Sequence, residues 1–324
     1  MNKKITHLHK LVIALAGTVL LSTAFAQTPY PAKRINLIVG FSAGSSIDLV
    51  ARVVANKLSD KLGQAIVVEN KPGAGGNIAA EHVAHSAADG YTLLVVANSI
   101  AISPALYKNL GFDPTKDLTA ISYIGIGPVI LKVNSKTGFN NLGELITYAK
   151  AHPAKLNYGS SGVGGTPHMA TVLFEQITGT KMTHIPYKGG GDALAALLGG
   201  QVDVLINPLL GNVESDKVKS LAITGDKRSP LAPSVPTFGE LGYPKYDVGV
   251  YYGIMGPAGM PSDIVNKLNN EVSAVLADPE VVESLTGKNG IVLKAETADE
   301  FQTFLDNDME RWKKVVEAGH VSVE

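Results

Sequence analysis

The chain has 324 residues, 45% hydrophobic and 18% charged, with 28 basic against 29 acidic side chains and a formal net charge of -1. It contains no cysteine, which excludes disulfides, thiolate metal sites and cysteine nucleophiles. The near-neutral balance has no basic run or arginine cluster, so the electrostatic footprint of a nucleic-acid binder is missing.

The N-terminus reads as an export signal. Lys3, Lys4 and Lys10 precede the apolar run "LVIALAGTVLL", and Ala24 and Ala26 occupy the small-residue positions of an A-x-A cleavage site. A cleaved signal peptide over residues 1–26 is expected, with an uncleaved anchor as the alternative. No segment reaches the ~18 apolar residues of a transmembrane helix. The mature chain, Gln27 to Glu324, is then a periplasmic protein long enough for two domains and stabilised by its core alone.

From there the pattern alternates. "INLIVG" reads as a buried strand, and Ile47, Val50, Val54 and Leu58 follow at helical spacing up to Gly63. "AIVVEN" is a second strand, "KPGAGGN" opens a short helix, and "YTLLVVANS" is a third strand. After "ISYIGIGPVILKVN" the alternation restarts with the helix "GELITYAKAH", begun by Asn141 with Glu144 and closed by Pro153. Strand "KLNYGS", helix "PHMATVLFEQITG", strand "MTHIPYK", helix "DALAALLGG" and strands "VDVLINP" and "KSLAIT" follow. A proline-rich connection leads to strand "YDVGVYYGIMG" and to helices starting near Pro261 and Thr297, which read as completing the first lobe. The reading is two α/β lobes, 27–127 with 246–324 and 128–245.

In open α/β sheets ligands bind where loops leave the carboxyl ends of strands. Each lobe has a small-residue loop at such a place, "GFSAGSSID" and "LNYGSSGVGGTPH", each entering a helix. Helix starts offer unpaired N–H groups and a positive dipole end, so the pair of loops points to a carboxylate or another small anion. Asp48, in the first turn of its helix, reads as support for the loop rather than a ligand contact.

Enzyme readings are weaker. Gly159-Ser160-Ser161-Gly162-Val163 fails the last position of G-x-S-x-G, although His168 stands near enough in sequence to be weighed as a base for Ser160 or Ser161. A Walker loop is absent, and His82 and His85 lack a third metal ligand, so neither cofactor nor metal is expected. In "HIPYKGGGDALAALLGGQVDVLINP", Tyr187 and Lys188 end a strand that would lie beside the Gly159 loop.

Five stretches carry a resemblance. "INLIVGFSAGSSID", "ENKPGAGGNIAAEHVAHSAADGYTLL", "LNYGSSGVGGTPHMA", "IPYKGGGDALAALLGGQVDVL" and "SLAITGDKRSPLAPSVPTFGELG" resemble, in order, the solute-binding proteins of tripartite tricarboxylate transporters, the Bug family. The resemblance implies a two-lobed, type II-like periplasmic-binding-protein fold, each lobe a mostly parallel sheet flanked by helices, closing on an organic anion in the cleft. It implies ligand contacts from Phe41, Ser42, Ala43, Gly44, Ser45 and Ser46 in lobe one, with Asn98 and Ser99 in view. In lobe two it implies Ser160, Ser161, Gly162, Gly164, Thr166 and His168, with Tyr187, Lys188 and Gly189 at the later strand end.

The sequence departs from the family at two places. Glycine is frequent where Ser45 or Ser46 stands, and an acid is common at Asn207, so this pocket tolerates more negative charge on its ligand. The expected function is capture of a di-, tri- or aromatic carboxylate by a monomer and delivery to transporter membrane subunits. Phe41 and Tyr187 lean toward a flat ligand. An exported serine hydrolase and a ligand-sensing partner of a membrane signalling protein are the alternatives.

Overall fold

Strand β1 (Ile35–Val39) leads into helix α1 (Ser46–Leu62), which buries Ile47, Val50, Val54 and Leu58 and stops at Gly63 in the left-handed conformation. In this computed structural model, which describes residues 29–209, 215–319, 321 and 323, strand β2 (Ile66–Asn70), helix α2 (Asn77–Ala84) and strand β3 (Thr92–Val96) follow. The signal-peptide reading of residues 1–26 lies outside the described residues.

Strand β3 stops at Val96, short of the Ser99 end read from sequence, and helix α3 (Ser99–Leu106), which the reading did not contain, follows. It is buried on nearly every side and carries Pro104, so it has no polar face to give a helical period.

A seventeen-residue strand, β4 (Leu118–Asn134), comes next. Beyond it lie α4 (Leu142–Ala151), β5 (Asn157–Ser160), α5 (Thr166–Thr178), β6 (Thr183–Pro186), α6 (Gly190–Gly199) and β7 (Val204–Pro208). The chain ends with β8 (Val218–Ile223), β9 (Gly249–Pro257), α7 (Ser262–Leu276), β10 (Val292–Leu293) and α8 (Ala298–Gly319). Asn141 caps α4 by accepting from Glu144 N–H at 3.0 Å.

The sheet runs β2-β1-β3-β9-β4-β7-β5-β6, with β8 and β10 also on β4. The strands β2-β1-β3 are parallel, as are β7-β5-β6, while β9 and β4 meet their neighbours antiparallel. β4 belongs to both groups. From Leu118 to Pro128 it pairs with β9, and from Val129 to Asn134 with β7 and β8. Its residues are apolar and buried almost throughout, which a strand covered on both faces requires.

Helix α8 inserts Phe301, Leu305, Trp312 and Val316 into the core against α3 and β4. Its final turns also reach α5, where Gln176 Nε2 donates to the Val315 carbonyl at 2.9 Å. Among the described residues no helix is long and apolar enough to cross a membrane.

Two partly buried polar sets fix the loops that precede α1 and α5. In the first, Asp48 accepts from Gly44 N–H at 2.9 Å, Arg52 Nε at 3.0 Å and Asn70 Nδ2 at 2.8 Å, and Asn70 also donates to the Phe41 carbonyl at 2.9 Å. Burial opposes the charge, but the bonds from Arg52, Gly44 and Asn70 outweigh it and hold the Asp48 carboxyl below the usual carboxylate range. In the second, the rings of His168 and His184 stack with centroids 4.1 Å apart, and Tyr158 stacks on His184 at 4.9 Å. Gly164 N–H donates to His168 Nδ1 at 3.2 Å, and Ser160 Oγ lies 2.6 Å from His184 Nε2 while accepting from Gly162 N–H at 3.1 Å.

Removing Asp48 leaves three donors without their acceptor, so Asp48→Ala should cost about 2–3 kcal/mol in urea unfolding. A loss below about 0.5 kcal/mol would show that the loop holds its shape without it. The histidines give a pH prediction. Burial, with the neighbouring His184 and Lys181, pushes His168 down to about 3, and burial pushes His184 down to about 4. Both are neutral in the fold, while the unfolded chain takes up protons from pH ~6.5 downward. Their contribution is therefore complete above that pH and falls on acidification toward the folded values, by about 1.4 kcal/mol per pH unit for each histidine. Unfolding of His168→Gln and His184→Gln between pH 7 and 4.5 should show a shallower acid dependence than the parent. An unchanged slope would remove the histidines as its source.

Candidate functional site

The starts of α1 and α5 meet at one small cavity of about 40 Å³. Ser45 caps α1 and Gly165 caps α5, both extended, and neither makes a side-chain cap bond. The first-turn N–H groups of a helix have no acceptor within it, so each start presents donors and the positive end of a dipole. From the first loop Phe41, Ser45, Ser46 and Ile47 line the cavity. Ser161, Thr166 and Pro167 face them from the second, and Gly190, Asn207 and Pro208 join from the neighbouring elements. Ala97 and Val250 complete the lining, in which no residue carries a charge.

Two lining polar atoms have no hydrogen-bond partner, Ser45 Oγ and Asn207 Oδ1, although their residues are only 4% and 3% exposed. Buried polar atoms are normally satisfied, so each is available to a bound molecule.

Six of the residues expected at the site therefore come together: Phe41, Ser45, Ser46, Ser161, Thr166 and Asn207. Asn98 stands behind them, accepting from Thr166 Oγ1 at 3.2 Å and donating to the Gly249 carbonyl at 3.1 Å. Ser99 starts α3 and is buried beside Phe41 and Gly76.

The others hold the loops or line their rim. Ser42 Oγ donates to Asp192 at 3.2 Å across to the start of α6, over Gly189, while Ala43 and Gly44 are exposed at the loop tip. The N–H groups of Gly162 and Gly164 are used internally, by Ser160 and His168, so they are not anion donors. Tyr187 and Lys188 line an adjoining open depression of about 790 Å³ with Gly75, Val163 and Asp192.

The serine–histidine geometry is not that of a hydrolase elbow. Ser160 is fully buried and meets His184, not His168, and His168 spends its Nδ1 on Gly164. Among the described residues no group of three metal-ligating side chains occurs.

The sequence reading missed Ile47, Ala97, Pro167, Gly190, Pro208 and Val250 as lining residues. Ile47, Pro167, Gly190 and Pro208 lay inside stretches already singled out. Ala97 and Val250 gave no signal, because an apolar residue at a strand end looks the same whether it faces core or cavity.

Residues 50–320 match the family model described as the tripartite tricarboxylate transporter family receptor, TctC. The solved structure of the periplasmic binding protein BugD is similar at 32% identity and TM-score 0.85, covering 91% of this chain and 100% of that one. An R. palustris protein solved with adipate is similar at 32% identity and TM-score 0.86, with the same coverage of 91% and 100%. MatC from Rhodopseudomonas palustris, solved with bound malate, is similar at 31% identity and TM-score 0.82, covering 89% of this chain and 100% of that one. With strands grouped about a shared β4, paired helix starts facing one cavity and a family match over most of its length, this chain belongs to the tripartite tricarboxylate transporter receptors, solute-binding proteins with a periplasmic-binding-protein fold.

Proposed function

We propose that the protein captures a small organic carboxylate between two lobes, residues 27–127 with 246–324 and residues 128–245, and delivers it to the membrane subunits of a tripartite transporter. One observation carries the reading. Two helix starts without side-chain caps, and a buried Ser45 hydroxyl without a partner, converge on a cavity lined by no charged residue. Such donors match the in-plane lone pairs of a carboxylate, and the dipoles favour its charge without a cation. The dicarboxylates held by the two R. palustris relatives support the same ligand class. Export to the periplasm as a monomer, by way of the signal at residues 1–26, belongs to this reading.

Contacts between the two loop systems fit a closed receptor. Tyr107 OH donates to the Val163 carbonyl at 3.0 Å, and Ser42 reaches Asp192. A Cβ built on Gly75 would lie 2.5 Å from that same Val163 carbonyl. The two chain segments touch backbone to backbone.

Two measurements test the proposal. A thermal-shift screen over organic acids should find carboxylates that raise the melting temperature, since a ligand at ~100 times its Kd adds about 2.7 kcal/mol. A screen of mono-, di-, tri- and aromatic carboxylates with no stabilising member would overturn it. Gly75→Ala should weaken the best of these ligands at least tenfold, about 1.4 kcal/mol, by wedging the contact with Val163. The same variant should lose only about 1 kcal/mol of stability, the ordinary cost of a side chain at φ 65°. Unchanged affinity would mean that closure of this contact is not part of binding.

A further inference from the structure

We infer that Asn207 is a specificity-determining residue, and that the ligand carries one carboxylate together with an uncharged hydrogen-bonding group, an amide in the first instance, that Asn207 reads. The inference rests on the carboxylate reading above and narrows it, and it reverses the expectation that Asn207 lets the pocket tolerate more negative charge on its ligand.

Asn207 sits in β7, a strand buried along its whole length, paired in register with Ile130 of β4. It lines the same cavity as the two helix starts, beside Pro208 and near Val250 and Ala97, which offer no hydrogen bonds from their side chains. Its Oδ1 is an acceptor with no protein partner at 3% exposure. A carboxylate side chain there would only accept, but the primary amide of Asn both donates and accepts, and its two ends exchange by a half-turn. The residue therefore suits a neutral group, a ligand amide above all, which offers one donor and one acceptor in a plane.

Charge limits the alternatives. The two helix starts and the Ser45 hydroxyl supply dipoles for one anion. A second carboxylate inside would have the Asn207 amide as its one side-chain partner at that end, with apolar side chains and no cation around it, and a buried charge so sparsely paired is disfavoured. Lys188 lies outside, on the open depression, exposed and sharing that rim with Asp192. A ligand ammonium is disfavoured for the mirror reason, since the lining holds no anion. The small volume, about 40 Å³, leaves little room for waters to solvate a second charge.

The test uses three end groups of equal shape on the same monocarboxylic acid: a primary amide, a methyl ketone and a second carboxylate. At four carbons in the diacid these are succinamate, 4-oxopentanoate and succinate, and the series is repeated for the three- to six-carbon diacids. Calorimetry is run at pH 7.5 on protein freed of co-purified ligand by unfolding and refolding, with melting curves to confirm that each variant is folded. At the chain length that binds best, the amide should bind at least tenfold more tightly than both the ketone and the diacid. In Asn207→Ala the lead of the amide over the ketone should fall below twofold. Asn207→Leu, which keeps the volume, should behave alike. A diacid that binds as tightly as the amide, or an amide lead that survives both substitutions, overturns the inference and leaves the carboxylate reading standing. If no carboxylate of any kind binds, the carboxylate reading fails and this inference with it.

Discussion

A helix start cannot satisfy its own first N–H groups, and here two such starts are aimed at the same small space. Where a protein has no use for these groups, a serine, threonine or aspartate folds back to cap them. Ser45 does not do so, and Gly165 has no side chain with which to cap. Asp48, which has the chemistry to cap or contact an anion, is instead tied to Gly44, Arg52 and Asn70. Its negative charge is neutralised by Arg52 and spent on loop shape, so the dipoles remain the main electrostatic feature of the cavity. Much of the surrounding structure follows from keeping those donors unpaired, ordered and out of bulk water.

Order in the second loop comes from a different device. The rings of Tyr158, His168 and His184 form a largely buried stack; His168 accepts from Gly164 N–H, and His184 Nε2 lies against the Ser160 hydroxyl, which Gly162 also engages. Glycines at 162 and 164, both at positive φ, give the loop a path that residues with a Cβ rarely follow. The bend brings Gly164 under Leu106 and Tyr107, so the turn that presents Ser161 and Thr166 to the cavity is also the turn that meets the α3 end. Cavity lining and loop-to-loop contact are two sides of one loop.

The long strand β4 explains how the two groups of strands stay registered. A strand that pairs with β9 along its first part and with β7 and β8 along its last part makes both groups share one backbone. Asn207 lies on β7 opposite Ile130, so its place in the cavity is set by that same strand rather than by a loop. Helix α8 adds a second link through its packing on both α3 and α5. A site built from two loops thus rests on elements that are buried and continuous.

The amino-acid sequence by itself determined the alternation of strands and helices, because buried parallel strands are apolar runs and one-sided helices have a 3.6-residue period. It also marked the two small-residue loops between a strand and a helix, where first-turn donors lack partners within the helix. Helix α3 was not legible, being apolar all round, and neither was the reach of α8 onto α5, which depends on contacts distant in sequence. Within the site, the reading could name Gly162, Gly164, His168 and Ser160 as part of the loop but could not tell contact from scaffold. That distinction is whether a polar atom finds a protein partner, and only the fold brings His184 to Ser160 and His168 back to Gly164 while leaving Ser45 and Asn207 without one.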